Sequence, residues 1–190
     1  MVSEYRYCIG KQEIDISDIR QLLAETKIVA EKNDIPFPQA DIFPRIVDLL
    51  GRLYNANEPL SKDEITLIYA FNERQTGYYV SATQYLGLVT RKYIKNQGVT
   101  FFLNPKGQSI MSQHPQRRKL ELAKCILCDK VFNESLHIHL NQGQSPVLQD
   151  IIQIIKDQSV RNANYSGSVL KRRAQTVKGW IDWIVDLTRI

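Results

Sequence analysis

Between Asn72 and Gly87 lies ERQTGYYVSATQYL, a helix-length stretch with a residue suited to capping at each end. Asparagine accepts hydrogen bonds from the first free amides of a helix, and glycine takes the left-handed turn that closes one. Directly beyond it, LVTRKYIKNQ and GVTFFLN are β-prone runs meeting at Asn96-Gln97-Gly98, which reads as a hairpin. A helix this short cannot bury its apolar side alone, so the chain must supply partner helices.

They lie upstream. Ser17–Asp34 has apolar positions at helical spacing behind a serine cap, and IPFPQADIFPRI, with three prolines, reads as a packed linker. Ile42–Tyr54 is a second amphipathic helix. LSKDEITLIYAF starts a third, with Ser61 as cap and Glu64 at the capping-box position. Three helices followed by a hairpin is the winged helix-turn-helix order, in which the third helix enters the major groove and the hairpin meets backbone.

The second half repeats the helical part. Arg117–Phe132 is amphipathic, Ser145–Gln158 begins Ser-Pro, and Tyr165–Leu187 follows with Ser166 or Ser168 as cap. Laying Arg74 on Arg172 puts Tyr79 on Val177, Ala82 on Trp180, Tyr85 on Trp183 and Leu86 on Ile184. The fold expected is mainly α with small β wings, a tandem winged helix-turn-helix. Residues 1–41 form an N-terminal helix and linker, 42–112 the first domain, and 113–190 a second whose wing is reduced or missing.

Charge follows the same division. Residues 72–119 carry eight Lys and Arg against one acid, Glu73, and residues 160–190 carry six against two. The intervening and preceding segments are net acidic, although the whole chain is only +5. Basic faces segregated in this way attract polyanions by counterion release. An apolar fraction of 43% with 24% charged residues, no membrane-length apolar run and a polar start point to a cytoplasmic globular protein. Three cysteines argue against a disulfide framework.

At 100° per residue Gln75, Tyr79, Ala82 and Leu86 share one stripe, flanked by Tyr78 and Tyr85. The opposite side shows Arg74, Gly77, Val80, Ser81 and Gln84. The matching positions of the last helix are Arg172, Gln175, Lys178, Gly179 and Asp182, with Lys171 and Arg173 beside them. Arg and Gln pair bidentately with guanine and adenine edges.

Two catalytic or metal readings carry less. Cys125-x-x-Cys128 with His137 and His139 has zinc-like composition, but its cysteines fall on the apolar stripe of a helix, and the histidines read as loop or surface residues in an extended segment. Asp15, Glu25 and Lys27 have the D…E-x-K spacing of Mg²⁺-dependent nucleases, yet on a helix Glu25 and Lys27 diverge. Neither a catalytic set nor a metal set is assigned, and no cofactor is expected.

RQTGYYVSATQYLGLV, FFLNPKGQSIM, RRKLELAKCILCDKVF and SVLKRRAQTVKGWIDWI together resemble the tandem winged-helix modules attached to type II restriction endonucleases and related prokaryotic defence proteins. That resemblance implies sequence-specific recognition of double-stranded DNA, with cleavage left to a nuclease domain or subunit elsewhere. The residues expected on DNA are Arg74, Gln75, Ser81, Gln84, Arg91, Lys92, Lys95, Lys106, Arg117, Arg118, Lys171, Arg172, Arg173, Gln175 and Lys178. The alternatives are a protein–protein adaptor or transcriptional regulator on the same scaffold, and a small Mg²⁺-dependent nuclease.

Overall fold

Asp15, rather than Ser17, starts the first helix. Its carboxylate accepts from the amides of Ser17 (2.8 Å) and Asp18 (3.1 Å), while Asp18 returns a bond to the Asp15 amide (2.9 Å), closing a capping box. The computed structural model describes residues 13–29, 35–158 and 165–188. Helix α1 (Ile16–Glu25) buries Ile19, Leu22 and Leu23, and Thr26 turns the chain extended. The predicted continuation past Thr26 is therefore absent through residue 29; residues 30–34 lie outside the described residues. Asp15 and Glu25 sit at opposite ends of a helix about 15 Å long, too far apart to share one metal ion.

Helix α2 (Phe43–Asn55) buries Phe43, Ile46, Leu49, Leu50 and Leu53. Strand β1 (Leu60–Ser61), not foreseen from sequence, leads into α3 (Lys62–Tyr69), which carries the expected Ser61/Glu64 capping box. Ala70, left-handed at φ 50°, ends α3, and Asn72 caps α4 (Glu73–Tyr85) after a three-residue turn. Gly87 then reverses the chain at φ 70° into the hairpin of β2 (Val89–Ile94) and β3 (Gly98–Leu103). Asn96 and Gly98 take positive φ in its turn, as that turn chemistry demands. The sheet order is β1-β3-β2, all antiparallel, with Leu60 opposite Phe101 and Arg91 opposite Phe101 on the other side.

A short helix α5 (Pro105–Met111), also unforeseen, follows Asn104, whose side chain accepts from the Gly107 amide and donates to Gly87 O, both at 2.9 Å. The predicted helix Arg117–Phe132 is two helices. α6 (Pro115–Leu127) stops at Cys128, and Asp129 caps α7 (Lys130–Gln142) through the Val131 amide at 2.8 Å. His137 and His139 therefore lie on a helix, not in an extended loop, and His139 is buried. The break escaped notice because apolar spacing continues across it and only Asp129 marks the new start. α8 (Leu148–Gln158) begins later than the expected Ser145. α9 (Gly167–Asp186) is preceded by Ser166, whose side chain makes no capping bond. The molecule is thus mainly helical with one small sheet, and among the described residues no strand follows Leu103.

One core runs through both halves. Helix α1 packs on α6 and α9, and α2 also meets α9. Through the middle passes an aromatic series. Phe37 stacks on Phe132 at 5.6 Å and meets the edge of Tyr85 at 5.7 Å. Phe132 stacks on Trp180 at 5.0 Å, and Trp180 meets Phe43 at 5.1 Å. The proline-rich linker, through Phe37 and Ala40, is thereby built into the core.

A polar cluster ties α2 to α3. The Tyr69 hydroxyl donates to Asp48, which also pairs with Arg52 at 3.0 Å, and Arg52 lies 5.3 Å over the Tyr69 ring. The Tyr69 hydrogen bond, against some desolvation, holds the Asp48 carboxyl below its ordinary range; backbone and side-chain bonds from Ser61 do the same for Glu64. Carboxylates with lowered folded-state pKa values stabilise the fold above their unfolded values and lose that contribution as pH falls through the folded ones. Stability should therefore decline below about pH 4. Both groups are mostly exposed, so Asp48→Asn should remove less than about 1 kcal/mol of that dependence. Urea unfolding at pH 7 and pH 3 measures it; an unchanged pH slope in the variant would show that Asp48 plays no part.

Candidate nucleic-acid interface

Helix α4 is held on both α2 and α3, and its buried arc is wider than a single stripe. Thr76, Tyr79, Val80, Ala82, Thr83 and Leu86 are all buried, with the Thr76 hydroxyl 2.8 Å from that of Thr66. Val80, expected on the open side, is in the core. Gln75, expected on the packed stripe, is exposed; its side chain accepts from the Asn72 amide at 3.2 Å as half of the α4 capping box. Arg74 is exposed, while Gly77, Tyr78, Ser81 and Gln84 are partly so.

The first turns of α9 arrive beside this front. Arg74 Nε donates to the Tyr78 hydroxyl at 2.5 Å, and its guanidinium stands 5.5 Å from the centre of the same ring. Arg172 Nη1 reaches that hydroxyl at 3.3 Å and Gln39 Oε1 at 3.4 Å. Two arginines expected to serve separate recognition helices thus meet on one oxygen. Beneath them a groove of about 240 Å³ is lined by Pro36, Phe37, Pro38, Gln39, Arg74, Gly77, Tyr78 and Ser81. Among the described residues no carboxylate lines it.

Other sequence-predicted residues divide. On α9, Lys171 and Gln175 are exposed, but Arg173 is 4% exposed and lies 3.5 Å from the centre of the Tyr165 ring and 5.9 Å from that of Phe37. It shares the inward arc with Leu170, Ala174 and Val177, one helical turn apart, so it is closed to an outside partner in this structure. Lys178 pairs with Asp182 at 2.7 Å, and Asp182 also accepts from Ser145 at 2.6 Å. In the hairpin, Arg91, Lys92 and Lys95 are exposed and have no ion-pair partner among the described residues. Lys106 is exposed on α5 beside Cys125, whose thiol burial pushes up while that lysine opposes the rise. Arg117 is exposed; Arg118 folds back onto Gln113 O at 3.0 Å. Cys125 and Cys128 are half-buried free thiols, and among the described residues no three His, Cys, Asp or Glu side chains are grouped to hold a metal ion.

Sequence reasoning missed Gln39 and placed Tyr78 with the packed flank. Only the signal Pro36-Phe37-Pro38, a stiff linker with one aromatic, hinted that this segment borders a site.

Residues 45–189 match the family model described as Domain of unknown function (DUF7226). The chain belongs to this family. Comparisons with curated proteins and with solved structures give no match. The DUF7226 region contains Arg74, Gly77, Tyr78, Ser81 and Arg172, whereas Pro36 to Gln39, the opposite wall of the groove, precede it. Among the described residues of this DUF7226 protein, no helix is long and apolar enough to cross a membrane.

Two glycines on the helix faces expected from sequence to turn outward behave differently. A Cβ on Gly179 would overlap the carbonyl oxygen of Asp41, whereas one on Gly77 would meet nothing within 4 Å. Gly179 is therefore a packing residue under the linker, not a surface for close approach. Gly179→Ala should destabilise by about 1–3 kcal/mol. Gly77→Ala should stabilise by about 0.5–1 kcal/mol, because alanine loses less backbone entropy in a helix. Denaturant melts of the two variants test this; shifts of the same sign would contradict it.

Proposed function

We propose that the chain binds double-stranded DNA through two helix-based units, the first of winged-helix type, as the target-recognition part of a restriction-type system. The observation that carries the DNA reading is the hairpin. It follows α4 directly, its strand β2 is exposed from Thr90 to Tyr93, and it presents Arg91, Lys92 and Lys95 without acidic partners among the described residues. Cations left unpaired on a projecting edge strand suit a phosphate backbone. The order α2-β1-α3-α4-β2-β3, with β1 pairing onto β3, supports the winged-helix assignment. Exposed Arg117, Lys171 and Gln175 extend the polar surface, and Gln75 and Gln84 stand at the open edge of α4. The restriction-type setting comes from the sequence resemblance alone.

A second reading has its own observation. Leu67 is 83% exposed and Ile68 42% exposed, side by side on α3, an apolar pair that suits a protein partner. Salt separates the two. Affinity for a random-sequence duplex, measured by fluorescence anisotropy between 50 and 200 mM salt, should fall steeply if the surface binds phosphates. A flat, weak response would remove the DNA reading and leave the adaptor. Selection from a random oligonucleotide pool then gives the preferred site.

A further inference from the structure

The groove between α4 and the linker, with Arg172 of α9 at its edge, has features a duplex-binding surface does not require. Arg74 and Arg172 both bond the Tyr78 hydroxyl, so their donor nitrogens lie within about 6 Å of each other, where like charges repel. Among the described residues neither has an ion-pair partner, and no carboxylate lines the space beneath them. A phenol oxygen is the atom now accepting from both guanidinium groups. An anion there would answer both charges at once.

The donors specify which anion. A carboxylate is satisfied by one guanidinium fork, whereas two forks with the hydroxyls of Tyr78 and Ser81 suit the three oxygens of a phosphate monoester. The rest of the lining is Pro36, Phe37, Pro38 and the Tyr78 ring, an apolar and aromatic wall able to take an organic group on the ester. Size sets the limit. At about 240 Å³ the groove is just below the usual range for ligand pockets, room for a single nucleotide unit and not for a dinucleotide.

We infer that the groove formed by Arg74, Tyr78, Ser81 and the linker residues Pro36 to Gln39, with Arg172 at its edge, binds a phosphate monoester of mononucleotide size. The linker and α4 line the groove, and Arg172 of α9 reaches two of its lining residues, so such a ligand bridges the two halves of the molecule. This inference stands on the groove and does not depend on duplex binding by the hairpin. The same chemistry has two sources: a free mononucleotide, or the 5′-phosphate at a DNA end.

The test uses the full chain and 2′-deoxyadenosine 5′-monophosphate, followed by calorimetry and by chemical-shift changes at Tyr78 and Ser81. Saturable binding is expected, with deoxyadenosine at least about tenfold weaker for want of the phosphate, the loss expected from removing charge-assisted bonds. Arg74→Gln combined with Arg172→Gln should abolish it, both side chains being exposed and the melting temperature serving as the check on folding. Lys119→Ala, an exposed cation on α6 outside the groove lining, should leave it unchanged. Absence of saturable binding, or binding that survives in the double variant, would overturn the inference. Source is read separately. A 5′-phosphorylated duplex that binds at least tenfold tighter than its 5′-hydroxyl twin, with the preference lost in the double variant, assigns the ligand to a DNA end. Equal affinities alongside nucleotide binding assign it to a free nucleotide. Loss of all duplex binding with nucleotide binding intact would sink the DNA reading alone.

Discussion

Trp180→Ala is expected to destabilise the protein by about 3–5 kcal/mol, the range for deleting a fully buried aromatic side chain. The indole is fully buried, stacked on Phe132 at 5.0 Å and against Phe43 at 5.1 Å, and its Nε1 donates to Ala40 O at 2.7 Å. The cavity left would open where the linker, α2, α7 and α9 meet, and none of these can collapse into it without breaking another contact. For a chain of this length, the loss corresponds to a fall in melting temperature of about 10 °C. Trp180→Phe keeps much of the stacking but leaves the Ala40 carbonyl without its donor, so it should cost less, about 1–3 kcal/mol. Chemical denaturation of both variants gives the values. An alanine variant within 1 kcal/mol of the parent would mean that the linker is not held through this ring.

The second large effect is on binding. Replacing Arg91, Lys92 and Lys95 together by alanine should lower the slope of log affinity against log salt by about 2.7, near 0.9 for each phosphate contact removed. At physiological salt that corresponds to an affinity loss on the order of a hundredfold for any duplex sequence. The fold should not suffer, because all three side chains are exposed and the hairpin is held by Val89, Phe101 and Leu103, which are buried. Duplex binding measured over a salt series decides the matter. If the triple variant binds as the parent does, the hairpin is not the phosphate contact, and the charge on it has another purpose.

The local elements were readable where a capping side chain stood next to a clear apolar period. Ser61 with Glu64, Asn72 with Gln75, and the turn Asn96-Gln97-Gly98 each satisfy backbone groups within a few residues, so their outcome depends on nearest neighbours. The alignment of α4 with α9 held for burial as well. Tyr79, Ala82 and Leu86 are buried, as are Val177, Trp180 and Ile184, because one helical period imposes the same inward arc on both. The missed features needed distant partners. β1 is two residues long and exists only because β3 offers it a ladder. The α6–α7 break lies inside a continuous apolar pattern, and His139 is buried by packing that its own segment does not announce.

The candidate site shows the same boundary. Residue type and spacing alone established that Arg74 and Arg172 stand at matching points on two amphipathic helices, and that charge is gathered into two segments. They also established a hairpin rich in cations after the first of those helices. Spacing along a chain is a one-dimensional quantity, however, and says nothing about which surfaces face each other. Tertiary packing brought the linker through the core on Phe37, laid the start of α9 beside α4, and turned Arg173 inward while leaving Arg172 at the groove. Neighbouring positions on a helix differ by 100°, so one residue separates a side chain in the core from one at a site.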